Sequence, residues 1–142
     1  RSVAGYANIT YVSLEDIELL NGADLTIDAG VVIKMTNYRG WDIQGGIKCN
    51  GTVAEHVVFT SLYDDNVGNP MDTNGDGNAT TPAWGNWYDI SLEENSDDLF
   101  CEFIYTDLQY GGGNGYGIVN ATNASPTFNN VSFVLPPVHM YE

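Results

Sequence analysis

The sequence predicts an all-β solenoid, and three observations carry that expectation. Short runs rich in β-branched and aromatic residues recur along the 142 residues, each too short for a helix. Asn, Asp and Gly clusters punctuate them, and no segment longer than about ten residues holds helical periodicity. Comparable runs return at intervals of about twenty residues, a spacing found in solenoid coils. Leu25 to Ile47 shows this interval, and Leu99, Gly117 and Phe133 repeat it more tightly.

In chain order, the expected strands begin with Ile9-Thr10-Tyr11-Val12, the run from Ile17 to Leu20, Leu25-Thr26-Ile27 and Val31-Val32-Ile33. Trp41-Asp42-Ile43, Gly46-Ile47-Lys48-Cys49 and Val57-Val58-Phe59-Thr60 follow, separated by Asn21-Gly22, Asp28-Ala29-Gly30, Gly45-Gly46 and Asn50-Gly51, all turn chemistry. A long polar stretch then intervenes, and the same grammar resumes. The run from Trp87 to Leu92, that from Leu99 to Tyr105, Gly117-Ile118-Val119 and the run from Pro126 to Phe133 are the later strands, with Asn129-Asn130 as a candidate corner. An antiparallel Greek-key sandwich is the competing fold, because Asn-Gly pairs also suit hairpins.

Length and charge bound the rest. The chain fits one domain, divided into a cap and first strands (1–24), a loop insertion (63–86) and a C-terminal tail (135–142). Four Lys/Arg against nineteen Asp/Glu leave a formal net charge of −15, which argues against nucleic acid and anionic membranes as partners. No run approaches the length of a membrane span, and an opening at Arg1 without Met or signal segment reads as a mature or trimmed piece. Cys49 and Cys101 lie in alternating apolar runs and are expected to point inward as free thiols, with one bridge as the alternative.

The pieces L-T-I-D-A-G-V-V-I-K, W-D-I-Q-G-G-I-K-C-N-G-T, H-V-V-F-T-S-L-Y-D-D, D-T-N-G-D-G-N-A-T-T-P-A-W-G-N-W-Y-D-I, L-F-C-E-F-I-Y and N-A-S-P-T-F-N-N-V-S-F stand in that order. This order resembles the right-handed parallel β-helix repeat modules of secreted and cell-surface bacterial proteins, the pectate-lyase-like solenoid superfold, over roughly residues 25–133. The resemblance implies a right-handed parallel β-helix of about five coils, with the D-x-N-x-D-G stretch projecting as a loop from one coil.

That loop carries the candidate chemistry. Asp72, Asn74 and Asp76, then Gly77 for a sharp turn and the Asn78 carbonyl, repeat a spacing that wraps a hard cation. Position 12 is Ala83 rather than Glu and no amphipathic helix flanks the loop, so this is not an EF-hand; Asp64 or Asp65 is expected to complete a calcium shell. A turn that binds nothing is the alternative. Enzymes of the resembling superfold raise the question of catalysis. A lyase needs a cation and a basic side chain, yet the chain offers only Arg1, Lys34, Arg39 and Lys48, with Lys34 and Lys48 expected to face outward from strands. His56 and His139 belong to no metal-spaced pair or nucleophile motif and are expected at the surface or an edge; Glu93-Glu94 and Asp97-Asp98 read as a solvated turn.

Two further signals concern glycans. Trp41, Trp84, Trp87 and Tyr88, with Tyr105, Tyr110 and Tyr116, are candidates for outward rings that stack on sugars. N-x-S/T sequons occur at Asn8, Asn50, Asn78, Asn120, Asn123 and Asn130, six where random placement gives about 2. The sequence therefore leads to a non-catalytic, extracellular structural or adhesive module stabilised by calcium. Its open ends and its tails (1–11 and 135–142, with Pro136-Pro137) suggest head-to-tail self-association into a filament. A carbohydrate-binding or polysaccharide-active domain is the alternative.

Overall fold

Each expected run becomes a strand, and every strand pairs in parallel with the strand one turn along. The computed structural model describes residues 9–134; both tail segments, the sequon at Asn8 and His139 lie outside them. The described strands are β1 (Thr10–Ser13), β2 (Ile17–Leu19), β3 (Asp24–Asp28), β4 (Val32–Met35), β5 (Trp41–Ile43), β6 (Gly46–Asn50), β7 (Val57–Ser61), β8 (Ile90–Leu92), β9 (Glu102–Gln109), β10 (Val119–Ala121) and β11 (Thr127–Val134). No helix occurs among the described residues. The architecture is a parallel β-solenoid of about five turns, and the uniformly parallel pairing excludes the Greek-key alternative.

Three faces stack along the coil. The first runs β1, β4, β7 and the second half of β9, on which the second half of β11 rests. The second runs β2, β5, β8, β10. The third runs β3, β6 and the first halves of β9 and β11. β9 and β11 each cross from the third face to the first, turning at Tyr105 (φ 43°) and Asn130 (φ 55°). Asn130 is thus a corner, as its sequence suggests. Below Tyr105 the chain must come very close: a Cβ on Gly51 would lie 2.1 Å from the Tyr105 carbonyl oxygen, so only glycine fits.

Inward positions pair with inward positions at one strand spacing, about 4.8 Å, and so form apolar ladders. Ile33, Phe59 and Leu108 make one, Ile43 and Leu92 another, and Ile27, Cys49 and Phe103 a third; all are buried. Each such side chain contributes about 1.5–3 kcal/mol relative to exposure. Phe128 extends the third ladder, its ring stacked on Phe103 at 5.3 Å. Cys49 and Cys101 are free and buried, and burial pushes the Cys49 thiol well above its ordinary pKa.

Two expectations about strands shift. The run from Trp87 to Leu92 contributes only Ile90–Leu92, because Trp87 and Tyr88 belong to the approach to the strand. The run from Leu99 begins in a turn, in which the Asp97 carbonyl accepts from the amides of Phe100 and Cys101, and the strand instead extends to Gln109. Asp97 and Asp98 are likewise more than a solvated turn, since their carboxylates accept the Leu99 and Ser125 amides.

The largest correction concerns Lys34 and the insertion. Lys34 leaves the outer side of β4 yet is fully buried, because the insertion folds back across the first face instead of projecting from it. The Lys34 ammonium donates to the carbonyls of Asp64, at 2.7 Å, and Met71. Beside it on β7, the Thr60 hydroxyl donates to the Asp64 carboxylate at 2.7 Å. Farther along the insertion, the Asn69 amide donates to Thr10 Oγ1 on β1 at 2.6 Å, and Gly68 passes so near that a Cβ would lie 2.4 Å from that oxygen. The loop therefore crosses β7, β4 and β1. Lys48 does face outward on β6, where it pairs with Glu102 and lies 5.9 Å from the Phe100 ring.

Charged hydrogen bonds contribute about 1.5–3 kcal/mol each, and an orphaned buried carbonyl costs about 1–3. Lys34→Ala is expected to lose about 2–4 kcal/mol in a denaturant titration and to open residues 63–86 to proteolysis. Lys34→Met, which keeps the aliphatic stem, should open the same segment.

Candidate metal centre

Local hydrogen bonding shapes the loop before any ion is considered. The Asp72 carboxylate accepts the amides of Gly75 (2.7 Å), Asp76 (3.1 Å) and Gly77 (2.9 Å). The Asp76 carboxylate accepts those of Ala79 (2.9 Å) and Thr80 (3.0 Å), with the Thr80 hydroxyl besides. This winding requires left-handed backbone at Gly75 (φ 74°), Gly77 (φ 64°) and Asn78 (φ 74°), which Gly adopts freely and Asn tolerates. The hydrogen bond from Thr80 is the largest of the effects that hold the Asp76 carboxyl below its ordinary pKa.

Against these two carboxylates stands a third. Ligand oxygens of Asp65, Asp72 and Asp76 all lie within 4.8 Å of one another. Oxygens around a calcium ion sit at 2.3–2.6 Å from it, so a set this compact can share one. Asp65 differs from its neighbours in its surroundings. Both its carboxylate oxygens are buried without a hydrogen-bond partner. Desolvation, followed by the charges of Asp72 and Asp76, raises its pKa above the ordinary value, and Lys34 only partly offsets this. An ionised group held this way lacks a counter-charge, which a hard cation would supply.

Of the six expected ligands, the structure gathers Asp65, Asp72 and Asp76. Asp64 is turned away, accepting from Thr60 and from the backbone and side chain of Asn66 at 3.1 Å. Its place is in the loop's attachment, where Lys34 binds its carbonyl. Asn74 lies inside the loop, its amide nitrogen donating to Asp76 (3.0 Å) and Thr80 (3.1 Å) and its oxygen accepting from the Asp76 amide. Asn78 is exposed at the turn. Lys34, which sequence reasoning placed on an open surface, had one signal: a lysine inside the unbroken apolar run Val31-Val32-Ile33-Lys34-Met35, the pattern of a strand covered on both sides.

The aromatic candidates divide. Trp41 and Trp87 are core residues, not platforms. Trp41 meets Phe59 edge to face at 5.4 Å and donates to Ser13, while Trp87 donates to the Gln109 carbonyl at 2.8 Å. Trp84, Tyr88 and Tyr116 are exposed, and Tyr105 and Tyr110 are half-buried. Tyr38, which the sequence did not single out, is 63% exposed and pairs with Tyr88 at 5.9 Å between ring centroids. Among the sequons, Asn78, Asn123 and Asn130 are exposed, whereas Asn50 and Asn120 are half-buried and the Asn120 amide is bound to Asp89. His56 is half-buried against Asp107 at 3.1 Å, with the Tyr105 ring 5.7 Å away. Glu93 and Glu94 border a groove with Asp42, whose pKa is raised by burial and by Asp89, Asp16 and Glu18.

Comparison with known proteins gives little beyond the fold. No family model matches the chain, and no solved structure matches it. A stretch of 51 residues is 39% identical to Protein bark beetle of Drosophila melanogaster, which covers 36% of this chain and 2% of that protein. The chain thus spans about a fiftieth of the curated relative it matches.

Outer-shell changes at metal sites already cost about 10–100-fold in affinity. Asp65→Asn should therefore weaken calcium binding by more than about tenfold in a calorimetric titration, while raising the melting temperature of the ion-free protein by relieving repulsion. Asp64→Asn should instead leave calcium affinity within a few fold.

Proposed function

We propose that the chain is a non-catalytic structural or adhesive module of an extracellular or cell-surface protein, in which a calcium ion locks the insertion over the first face of the solenoid. The observation that carries this reading is the Asp65 carboxylate, buried, unpartnered and facing Asp72 and Asp76. Three carboxylates on a surface loop suit the weak affinities of about 10⁻⁴–10⁻³ M typical of extracellular calcium modules. The exposed sequons at Asn78, Asn123 and Asn130 favour the same setting. The ion's role is organisational, because Lys34, the base nearest the carboxylates, is committed to two loop carbonyls and burial lowers its pKa. On this reading the open ends of the coil are contact surfaces for further copies.

Calcium at a hundredfold excess over its dissociation constant stabilises a one-site protein by about 2.7 kcal/mol. The melting temperature should rise with calcium and return with chelator, and residues 63–86 should gain protease resistance. Protons compete for Asp65, whose pKa is raised, so affinity should fall as pH drops through that value and level off above it. A melting curve and a digestion pattern indifferent to calcium would overturn the reading.

A second reading, glycan binding, is favoured by one observation: the exposed Tyr38–Tyr88 ring pair, with Trp84 nearby across Gly112. Stacking on such rings predicts micromolar to millimolar binding on a neutral glycan array, abolished by Tyr88→Ala. Array signals unchanged in that variant would remove the rings from consideration.

A further inference from the structure

The two ends of the solenoid differ in a way the proposed function does not explain. At the first end, β2 carries Glu18 and β3 carries Asp24 and Asp28, so charge guards that edge. This is how proteins commonly protect an unpaired strand. At the far end, β11 reads Thr127-Phe128-Asn129-Asn130-Val131-Ser132-Phe133-Val134, eight residues without one ionisable group in a chain of net charge −15. Among the described strands β11 pairs only with β9, so its other edge presents free amides and carbonyls. Phe128 and Phe133 are each 43% exposed and Val134 40%. β11 is therefore an unguarded edge.

We infer that β11 is the joint of a two-fold homodimer, pairing antiparallel with β11 of a second copy. The residue pattern is self-complementary about the corner. A two-fold axis between Asn130 and Val131 sets Phe128 opposite Phe133, Asn129 opposite Ser132 and Thr127 opposite Val134, each twice. The parity is right as well. Phe128 and Phe133 continue the inward ladders of Phe103 and Leu108, whereas Thr127 and Val134 lie over the outward Glu102 and Gln109. Every pair across the joint thus joins side chains on the same side, as antiparallel strands require. The bend at Asn130 divides β11 into two arms, and the same axis exchanges them. Two aromatic cross-strand pairs add about 0.2–1 kcal/mol each to the backbone pairing.

A head-to-tail stack fits less well. The turns rise continuously, so β1 of a second copy seated on the second arm of β11 holds its β3 one strand spacing above the first arm. That end also brings Asp24 and Asp28 to the joint. The proposal rests on the structural reading but not on the ion, since β11 holds none of the gathered ligands.

Sedimentation of the 142-residue chain decides it. A dimer that does not grow further with concentration is expected. A monomer at high concentration, or an open series of oligomers, would overturn the proposal. Two double variants test the register. T127K/V134K places like charges opposite each other at both ends of the joint and should weaken the dimer at least tenfold, although it lowers the net negative charge. T127K/V134E places opposite charges there and should keep the dimer within a few fold. Equal weakening by both would overturn the two-fold register. An unchanged calcium-dependent melting shift in each variant shows that the module is folded and separates failure here from failure of the ion reading.

Discussion

One buried ammonium organises the outer half of this protein. Lys34 sits on a strand whose other side faces the core, so its charge has nowhere to go but outward, and there the insertion closes over it. Burying an ion without partners costs several kcal/mol. The cost is offset because the loop brings two carbonyls to the ammonium and the carboxylates of Asp64, Asp65 and Asp72 to its vicinity. The dependence runs both ways. Without the loop Lys34 would be an ordinary surface lysine, and without Lys34 the loop would lose its central attachment.

This arrangement separates two roles that look alike in the sequence. Asp64 and Asp65 are adjacent acids, yet one turns toward Thr60 and Asn66 and the other toward Asp72 and Asp76. The first fastens the loop to the solenoid, and the second leaves negative charge unbalanced. The burial that Lys34 relieves for itself is the burial that leaves Asp65 short of a partner. Fastening and cation attraction are thus neighbouring parts of one covered surface.

The solenoid was legible because its causes are local. Runs of Val, Ile and Phe with Asn and Gly corners define strands and turns wherever they lie, and about twenty residues between equivalent runs leaves few alternatives to a coil. Inward positions followed from alternation, which is why Ile33, Phe59 and Phe103 are where the pattern puts them. The path of the insertion was not legible, because it is fixed by Asn69 meeting Thr10 and Met71 meeting Lys34, contacts 59 and 37 residues apart in sequence. Trp41 and Trp87 misled for a related reason: a tryptophan beside a turn reads as exposed until the neighbouring coil is placed over it. The loop itself was half legible. Its turn chemistry fixed Asp72 and Asp76, but the choice between Asp64 and Asp65 depends on the direction in which the loop leaves β7.

A plain solenoid is quasi-one-dimensional: each turn touches only its neighbours, and terminal turns fray one at a time. The insertion changes that connectivity. By bonding to Thr60 on β7, Lys34 on β4 and Thr10 on β1, it ties the third turn directly to the first. The first turn then cannot peel away without also releasing the strap from the others. Three nearest-neighbour elements are joined into one cooperative unit, and fraying at that end gives way to concerted opening.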